Sequence, residues 1–305
     1  IDGVQEAIEI GAQANIPVVL THHKVIGKPM WGSSNRSLAL IDSARAAGID
    51  VMADQYPYPA SYTGIGVLIP SWARAGGNGK FIQRIQDPQL RDSIHKQIMF
   101  NILNDRGGDD LDRVQFARVK WDPTLEGKTL KYWCVREGLE PTVSNGADMV
   151  IRAQVSGGCT CIFHAMHEDD VANIMRHPHT AIATDGRLTE LGKSFVHPRN
   201  YGTFPRVLGQ YVREEKVLEL NEAIRKMTSL PAQRMGLKDR GQLKIGQKAD
   251  IVIFDPDEIK EVGTFIEPHA YPVGIDYVII NGIPAFENGQ FHDLLDGKVL
   301  RLNAL

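Results

Sequence analysis

Cysteine is scarce. Three residues in 305 (Cys134, Cys159 and Cys161) are too few to frame a chain of this size with disulfides, which favours a reducing, cytoplasmic setting. Cys159 and Cys161 stand as C-x-C, which is not a zinc-knuckle spacing, and both read as core thiols in a buried strand. Positive charge is not in excess either: the net charge of −3 argues against nucleic acid as a partner. No run of 18 or more apolar residues occurs, so nothing in the sequence reads as a membrane-spanning helix. Solenoid-type repeats and low-complexity tracts are also missing. The first residue is not Met, and no signal-peptide pattern follows it. A chain that opens directly on an α-β unit reads as cut from something longer.

What remains is an ordinary globular composition, 43% apolar and 23% charged, long enough for one large domain or two ordinary ones. Three α/β units can be placed. Val4, Ala7, Ile8 and Gly11 share one helical face, predicting a helix over residues 2–14 that leads to an apolar strand over 18–21. SLALIDSARAAG has apolar residues three and four apart and a closing Gly, and leads to the strand IDVMADQYPY. DVANIMRHPHT gives a third helix, and AIATDG a strand ending in Asp185. Strands alternating with helices imply a parallel sheet, doubly wound or closed as a (β/α)8 barrel. Residues 66–143 break the alternation and read as an inserted subdomain. A helix-rich stretch over 217–236 precedes short β-branched strands, with Asn281-Gly282 between two of them as a hairpin signal. The expected division is a barrel part over 1–65, the insertion over 66–143, a second barrel part over 144–236 and a small β domain over 237–305.

In parallel α/β folds functional side chains gather at the C-terminal ends of strands. The three strands end at His22-His23-Lys24, at Tyr56-Pro57-Tyr58 and at Asp185, so all three ends are expected to face one cavity. Imidazole and carboxylate are ordinary zinc ligands, and a carboxylate can also take a proton from water. Plainer readings exist for each group. His22 can simply close a strand, Asp185 before Gly can be a turn residue, Tyr56 and Tyr58 can be core aromatics, and Arg199 can be a loop cation. His23 and Tyr58 are left as structural. His164 and His167 in FHAMHEDD form a weak H-x-x-H, and Glu168, Asp169 and Asp170 suit a first helical turn, so that segment is also read as structural. His177 and His179 are expected at the surface.

IPVVLTHHK, ADQYPY, ATDG, HPRNYGTFPRVLGQYV and GQLKIGQKADIVIFD, in that order, resemble the C-terminal half of the N-acyl-D-amino-acid deacylases (D-aminoacylases) of the amidohydrolase superfamily. The likeness runs over nearly the whole chain and is loosest in the insertion. It implies an α/β chain forming the C-terminal part of a zinc-dependent (β/α)8 barrel, with an inserted subdomain and a small β-sandwich domain. Its implied reaction is hydrolysis of the amide bond of N-acyl-D-amino acids, a small-molecule substrate, with no nucleic-acid or membrane partner. Matched residue by residue, His22 is implied as a metal ligand. Asp185 is implied at the metal as the group that activates water and protonates the leaving amine. Lys24, Tyr56 and Arg199 are implied as the holders of the substrate α-carboxylate, a role that suits a planar guanidinium, a second cation and a neutral donor. The family's H-x-H, Cys ligand and T-H-x-R motif would all precede Ile1, so the chain alone is expected to be inactive. Where relatives often have Gly-Ser after Y-P-Y, this chain has Ala60-Ser61-Tyr62, leaving Ser61 and Tyr62 both open as substrate contacts. The rival readings are a cyclic-amide hydrolase of the dihydroorotase or hydantoinase kind, and a non-catalytic truncated product.

Overall fold

Gly11 is buried on the first helix because the strand that follows packs directly on it; a Cβ there would lie 2.3 Å from a Val18 methyl. That helix, α1 (Asp2–Ala14), ends at Asn15 in the left-handed conformation that Asn tolerates. The chain then runs through β1 (Val18–Leu20), α2 (Ser34–Ala46) and β2 (Val51–Gln55). A computed structural model describes residues 1–293 and 297–301.

After β2 come β3 (Ser61–Gly64), the helices α3 (Ser71–Arg74), α4 (Gly77–Gln86) and α5 (Pro88–Asp105), and β4 (Val114–Arg118). Two more helices, α6 (Leu130–Arg136) and α7 (Val143–Val155), lead to β5 (Thr160–Phe163), α8 (Glu168–Arg176) and β6 (Thr180–Ile182). Then α9 (Arg199–Arg206) passes into a π-helical stretch, Val207–Glu214, followed by α10 (Leu220–Met227) and α11 (Ser229–Arg234). The chain closes with β7 (Ile251–Phe254), β8 (Ile275–Ile280), β9 (Ile283–Glu287) and β10 (Gln290–Phe291).

The three α/β units meet as expected in a parallel sheet of order β1-β2-β6. Central β2 is buried along most of its length: Val51 and Ala53 are fully covered, packed with Leu38 and Ile41 of α2 and Ile174 of α8. All three strands stop earlier than the sequence suggested, β1 by one residue, at Leu20. The β2 ladder ends at Gln55, just before Tyr56-Pro57, where proline has no N–H to give. β6 ends at Ile182, so Asp185 lies three residues past it on a loop rather than at its last position.

The insertion builds its own antiparallel sheet, β3-β5-β4, with a dense core of Phe81, Ile94, Ile98, Phe116, Trp133 and Phe163. Segments outside residues 66–143 join it. β3 pairs Ser61 with Phe163, and β5 carries the fully buried Cys161. Cys159 lies just before β5 and is half-buried. α7 packs on α5, so the last helix of this unit also lies past residue 143.

The C-terminal strands form one four-stranded antiparallel sheet among the described residues, β10-β9-β8-β7. Asn281 (φ 50°) and Gly282 (φ 87°) are both left-handed, as a two-residue I′ hairpin requires. His177 corrects an expectation. It is buried rather than at the surface: its Nε2 lies 3.0 Å from Asp42 Oδ1, and its carbonyl accepts from Lys226, a lysine fully enclosed beneath β6. The cause is α10, which passes over the loop before β6. His179, also expected at the surface, is half-buried. Among the described residues no helix is long and apolar enough to cross a membrane.

Candidate active site at the strand ends

Beyond β1, β2 and β6 the chain turns into a cavity of about 590 Å³ whose lining includes His22, Lys24, Tyr56, Asp185 and Arg199. All five residues singled out from sequence therefore converge, from four separate segments. His22 and Asp185 share an uncommon backbone, φ 45° in both, in the left-handed region that His and Asp enter more readily than most residues. Such turns aim a side chain back across the end of its own strand. The first turn is pinned by Asp54, whose Oδ1 accepts the His22 backbone N–H at 2.6 Å. Burial raises the Asp54 carboxyl above its ordinary range, opposed by that hydrogen bond.

Lys24 Nζ donates to His22 Nδ1 at 2.7 Å and also contacts the His22 carbonyl. Burial pulls its ammonium down to about 8, while the Asp185 carboxylate acts in the other direction. A metal held by this imidazole would require Lys24 to give up its contact with the ring.

Arg199 is 4% exposed, and its Nη2 pairs with Asp185 Oδ2 at 2.9 Å. Its Nη1 is buried with no hydrogen-bond partner. It is thus not a loop cation, and a bare guanidinium nitrogen in a cavity wall calls for an acceptor. The Tyr56 ring orients both cations: the Arg199 guanidinium lies 4.6 Å and Lys24 Nζ 5.4 Å from its centroid.

Beneath these groups lies His197, which the sequence reading passed over although it stands two residues before Arg199. Its Nε2 is 3.0 Å from the Ala60 carbonyl, and its Nδ1 accepts the Arg199 backbone N–H at 3.0 Å. Those two bonds define a neutral tautomer with the proton on Nε2, and complete burial keeps the imidazole well below its ordinary value, hence neutral. His197 packs edge-on to Tyr58 and Phe265. Tyr58, read as a core aromatic, is buried and donates to Glu261 at 2.6 Å, and Glu261 also pairs with Arg206 at 3.2 Å. His23, read as structural, faces away from the cavity lining and bonds Ser37 Oγ at 2.9 Å; burial lowers its imidazole to about 4. His164 bonds Gln115 and packs on Phe265, and His167 accepts at the start of α8. Neither lines the cavity.

The opposite wall comes from β3 and the end of α5 and includes Ser61, Tyr62 and Arg106. Ser61 Oγ is buried without a partner, and Arg187 lies 5.6 Å from the Tyr62 ring centroid at the exposed rim. Arg106 carried no sequence signal, lying in an irregular NDRGG stretch.

The profile of the amidohydrolase family matches residues 134–286. The chain belongs to that family. Its relatives there include N-acyl-D-amino-acid deacylases. It is 33% identical to an N-acyl-D-glutamate deacylase of Alcaligenes xylosoxydans xylosoxydans over 99% of this chain and 51% of the relative. It is 34% identical to a D-aminoacylase of the same organism over 99% of this chain and 52% of the relative. The solved N-acyl-D-glutamate deacylase of Bordetella bronchiseptica, complexed with zinc and a phosphonate mimic of the tetrahedral intermediate, superposes with a TM-score of 0.71 at 31% identity. That match covers 94% of this chain and 52% of the other. The chain thus spans about half the length of the curated relatives it matches.

Zinc in that relative raises the question of fit here. His22 and Asp185 suit zinc in kind. In number they fall short: no group of three or more His, Cys, Asp or Glu is placed to hold a metal among the described residues. A zinc ion held by this pair alone would lack the third protein ligand that catalytic zinc usually has.

Proposed function

We propose that this chain forms the substrate-carboxylate and proton-transfer half of a zinc-dependent N-acyl-D-amino-acid deacylase. The observation that carries the reading is the convergence of His22, Lys24, Tyr56, Asp185 and Arg199 on one cavity. These are the positions at which the sequence matches the family's motifs.

In this reading His22 and Asp185 contribute two ligands. Zinc, when bound, supplies a polarised acyl carbonyl and a water of lowered pKa. Lys24 and Arg199, on the Tyr56 ring, take the α-carboxylate, with Arg199 Nη1 as the donor that otherwise lacks a partner. The Arg199–Asp185 pair then fixes where the carboxylate of Asp185 sits relative to the bound substrate. Asp185 removes the proton from the attacking water and delivers it to the leaving nitrogen. His197, neutral and buried, holds the Arg199 backbone. We extend the reading to architecture: β1, β2 and β6 are strands of a (β/α)8 barrel, the C-terminal sheet is part of a small β-sandwich, and the inserted unit runs from about residue 60 to about residue 166, as its shared sheet and core suggest.

The test is turnover of N-acetyl-D- against N-acetyl-L-amino acids by the full-length protein containing this chain, with zinc content measured alongside. Release of D-amino acid that tracks zinc supports the reading. Hydrolysis confined to dihydropyrimidine or hydantoin rings would replace it with a cyclic-amide hydrolase.

A further inference from the structure

Four cations line the cavity, Lys24, Arg106, Arg187 and Arg199, against one acidic side chain, Asp185. In the proposed reaction the α-carboxylate engages Lys24 and Arg199, and Arg187 lies at the exposed rim over Tyr62. Arg106 is left over. It is half-buried with its guanidinium 5.6 Å from the Phe163 ring centroid, and its Nε is enclosed with no hydrogen-bond partner. A guanidinium with an enclosed nitrogen and no acceptor is an unmatched cation in the cavity wall.

The backbone holds Arg106 in the cavity lining. It is the residue that caps the C-terminus of α5, followed by Gly107 (φ 118°) and Gly108 (φ 83°). The end of that helix is pressed against the loop after β1 at Gly27 (φ 88°), where a Cβ would fall 1.9 Å from the Asn104 carbonyl oxygen. Only glycine permits that approach. The loop is held on its other side by Gly27 N–H donating to the Ala165 carbonyl at 2.9 Å. The end of α5 that carries Arg106 is therefore set against the loop after β1 by packing, not by a flexible tether. Burial lowers the Arg106 guanidinium, while Asp105 and Tyr56 pull the other way; it stays a cation.

We infer that Arg106 is a specificity-determining residue that binds a carboxylate on the substrate's D side chain, making the preferred substrate an N-acyl derivative of an acidic D-amino acid. The inference rests on the deacylase reading above. It adds a second anionic subsite, supplied by the insertion rather than by the strand ends.

The experiment compares N-acetyl-D-glutamate with its isosteric amide, N-acetyl-D-glutamine, and with N-acetyl-D-leucine, in the full-length protein. Wild type is expected to favour the glutamate substrate in kcat/KM by about 30-fold or more over the amide, as for a buried guanidinium that finds its carboxylate. Arg106→Gln is expected to bring that ratio to within about threefold, mainly through KM, and Arg106→Lys to keep part of it. A measurement on wild type alone guards against a variant that fails to fold: glutarate should inhibit more tightly than its monoamide. Equal handling of glutamate and glutamine by wild type, or a preference that survives Arg106→Gln, overturns the inference and leaves the deacylase reading standing. No turnover of any N-acyl-D-amino acid overturns both.

Discussion

The cavity has two walls with different origins. One is the ends of β1, β2 and β6, which bring His22, Lys24, Tyr56 and Asp185 on short turns from buried parallel strands. The other, on the side of the stretch expected to be inserted, brings Ser61, Tyr62 and Arg106 from β3 and the end of α5, within a group of elements that has its own sheet and core. In the proposed reaction the first wall carries the groups that move protons and bind metal, while the second offers hydroxyls, a ring and a cation. The division is one of labour: substitutions on the strand-end wall should lower kcat, and those on the second wall should change which substrate is taken.

The largest expected effect comes from isolating both walls from further ligands. These 305 residues expressed alone should bind zinc weakly and show no deacylase turnover, since two protein ligands hold catalytic zinc poorly where three are usual. Stoichiometric tight zinc in the purified chain, measured by metal analysis after dialysis, would sink this expectation. In the full-length protein Asp185→Asn should lower kcat by about 10²–10⁴-fold, the usual worth of a positioned acid-base group, with KM little changed. His22→Ala should strip metal, whereas His23→Ala, whose ring faces Ser37, should leave metal content near wild type. Equal mild losses from both would remove His22 from the metal site.

Next in size is Arg199→Met, expected to cost about 2–4 kcal/mol in kcat/KM for free N-acyl-D-amino acids, as for losing a buried charge partner. Amide-capped substrates should show little of that difference. If capped and free substrates respond alike, the strand-end wall does not hold the α-carboxylate.

The smallest effect concerns acid stability behind the second wall, in the β3-β5-β4 sheet. His164 is held near 4 in the folded protein, chiefly by burial, against 6.5 when free. Its folded pKa is the lower one, so the unfolded chain binds more protons between these values. Stability is then full above about pH 6.5 and falls as pH drops toward 4, below which no further loss arises from this group. His164→Gln should flatten the fall in Tm over that window. An unchanged slope would assign the acid sensitivity to His197 or His23 instead.

How far the site could be read from sequence follows the same two walls. The strand-end wall was legible because each group sits within a few residues of an apolar run, and the period of that run gives the strand. Even there the reach was local: β6 stops at Ile182, and the left-handed turns at His22 and Asp185 left no mark in composition. The second wall was opaque. Its strands come from three distant segments, Ser61–Gly64, Val114–Arg118 and Thr160–Phe163, so no window of sequence contains the pairing. Its limits, read as 66–143, follow the break in α/β alternation, while the sheet follows long-range pairing and takes in residues on both sides. Arg106 is placed by a contact between Gly27 and Asn104, 77 positions away, which periodicity cannot report. The C-terminal hairpin was the converse case, since Asn281-Gly282 states its own geometry in two letters.

Glu261 and Phe265 belong by sequence to the segment between β7 and β8, yet they sit against Tyr58, Arg206 and His197. That segment behaves as a wedge driven under Arg199. An engineer wishing to graft a different C-terminal sheet onto this chain should therefore keep residues 255–274 and exchange only the strands on either side of them. A cut near residue 237 would carry away the support of Arg199 together with a sheet whose residues do not line the cavity.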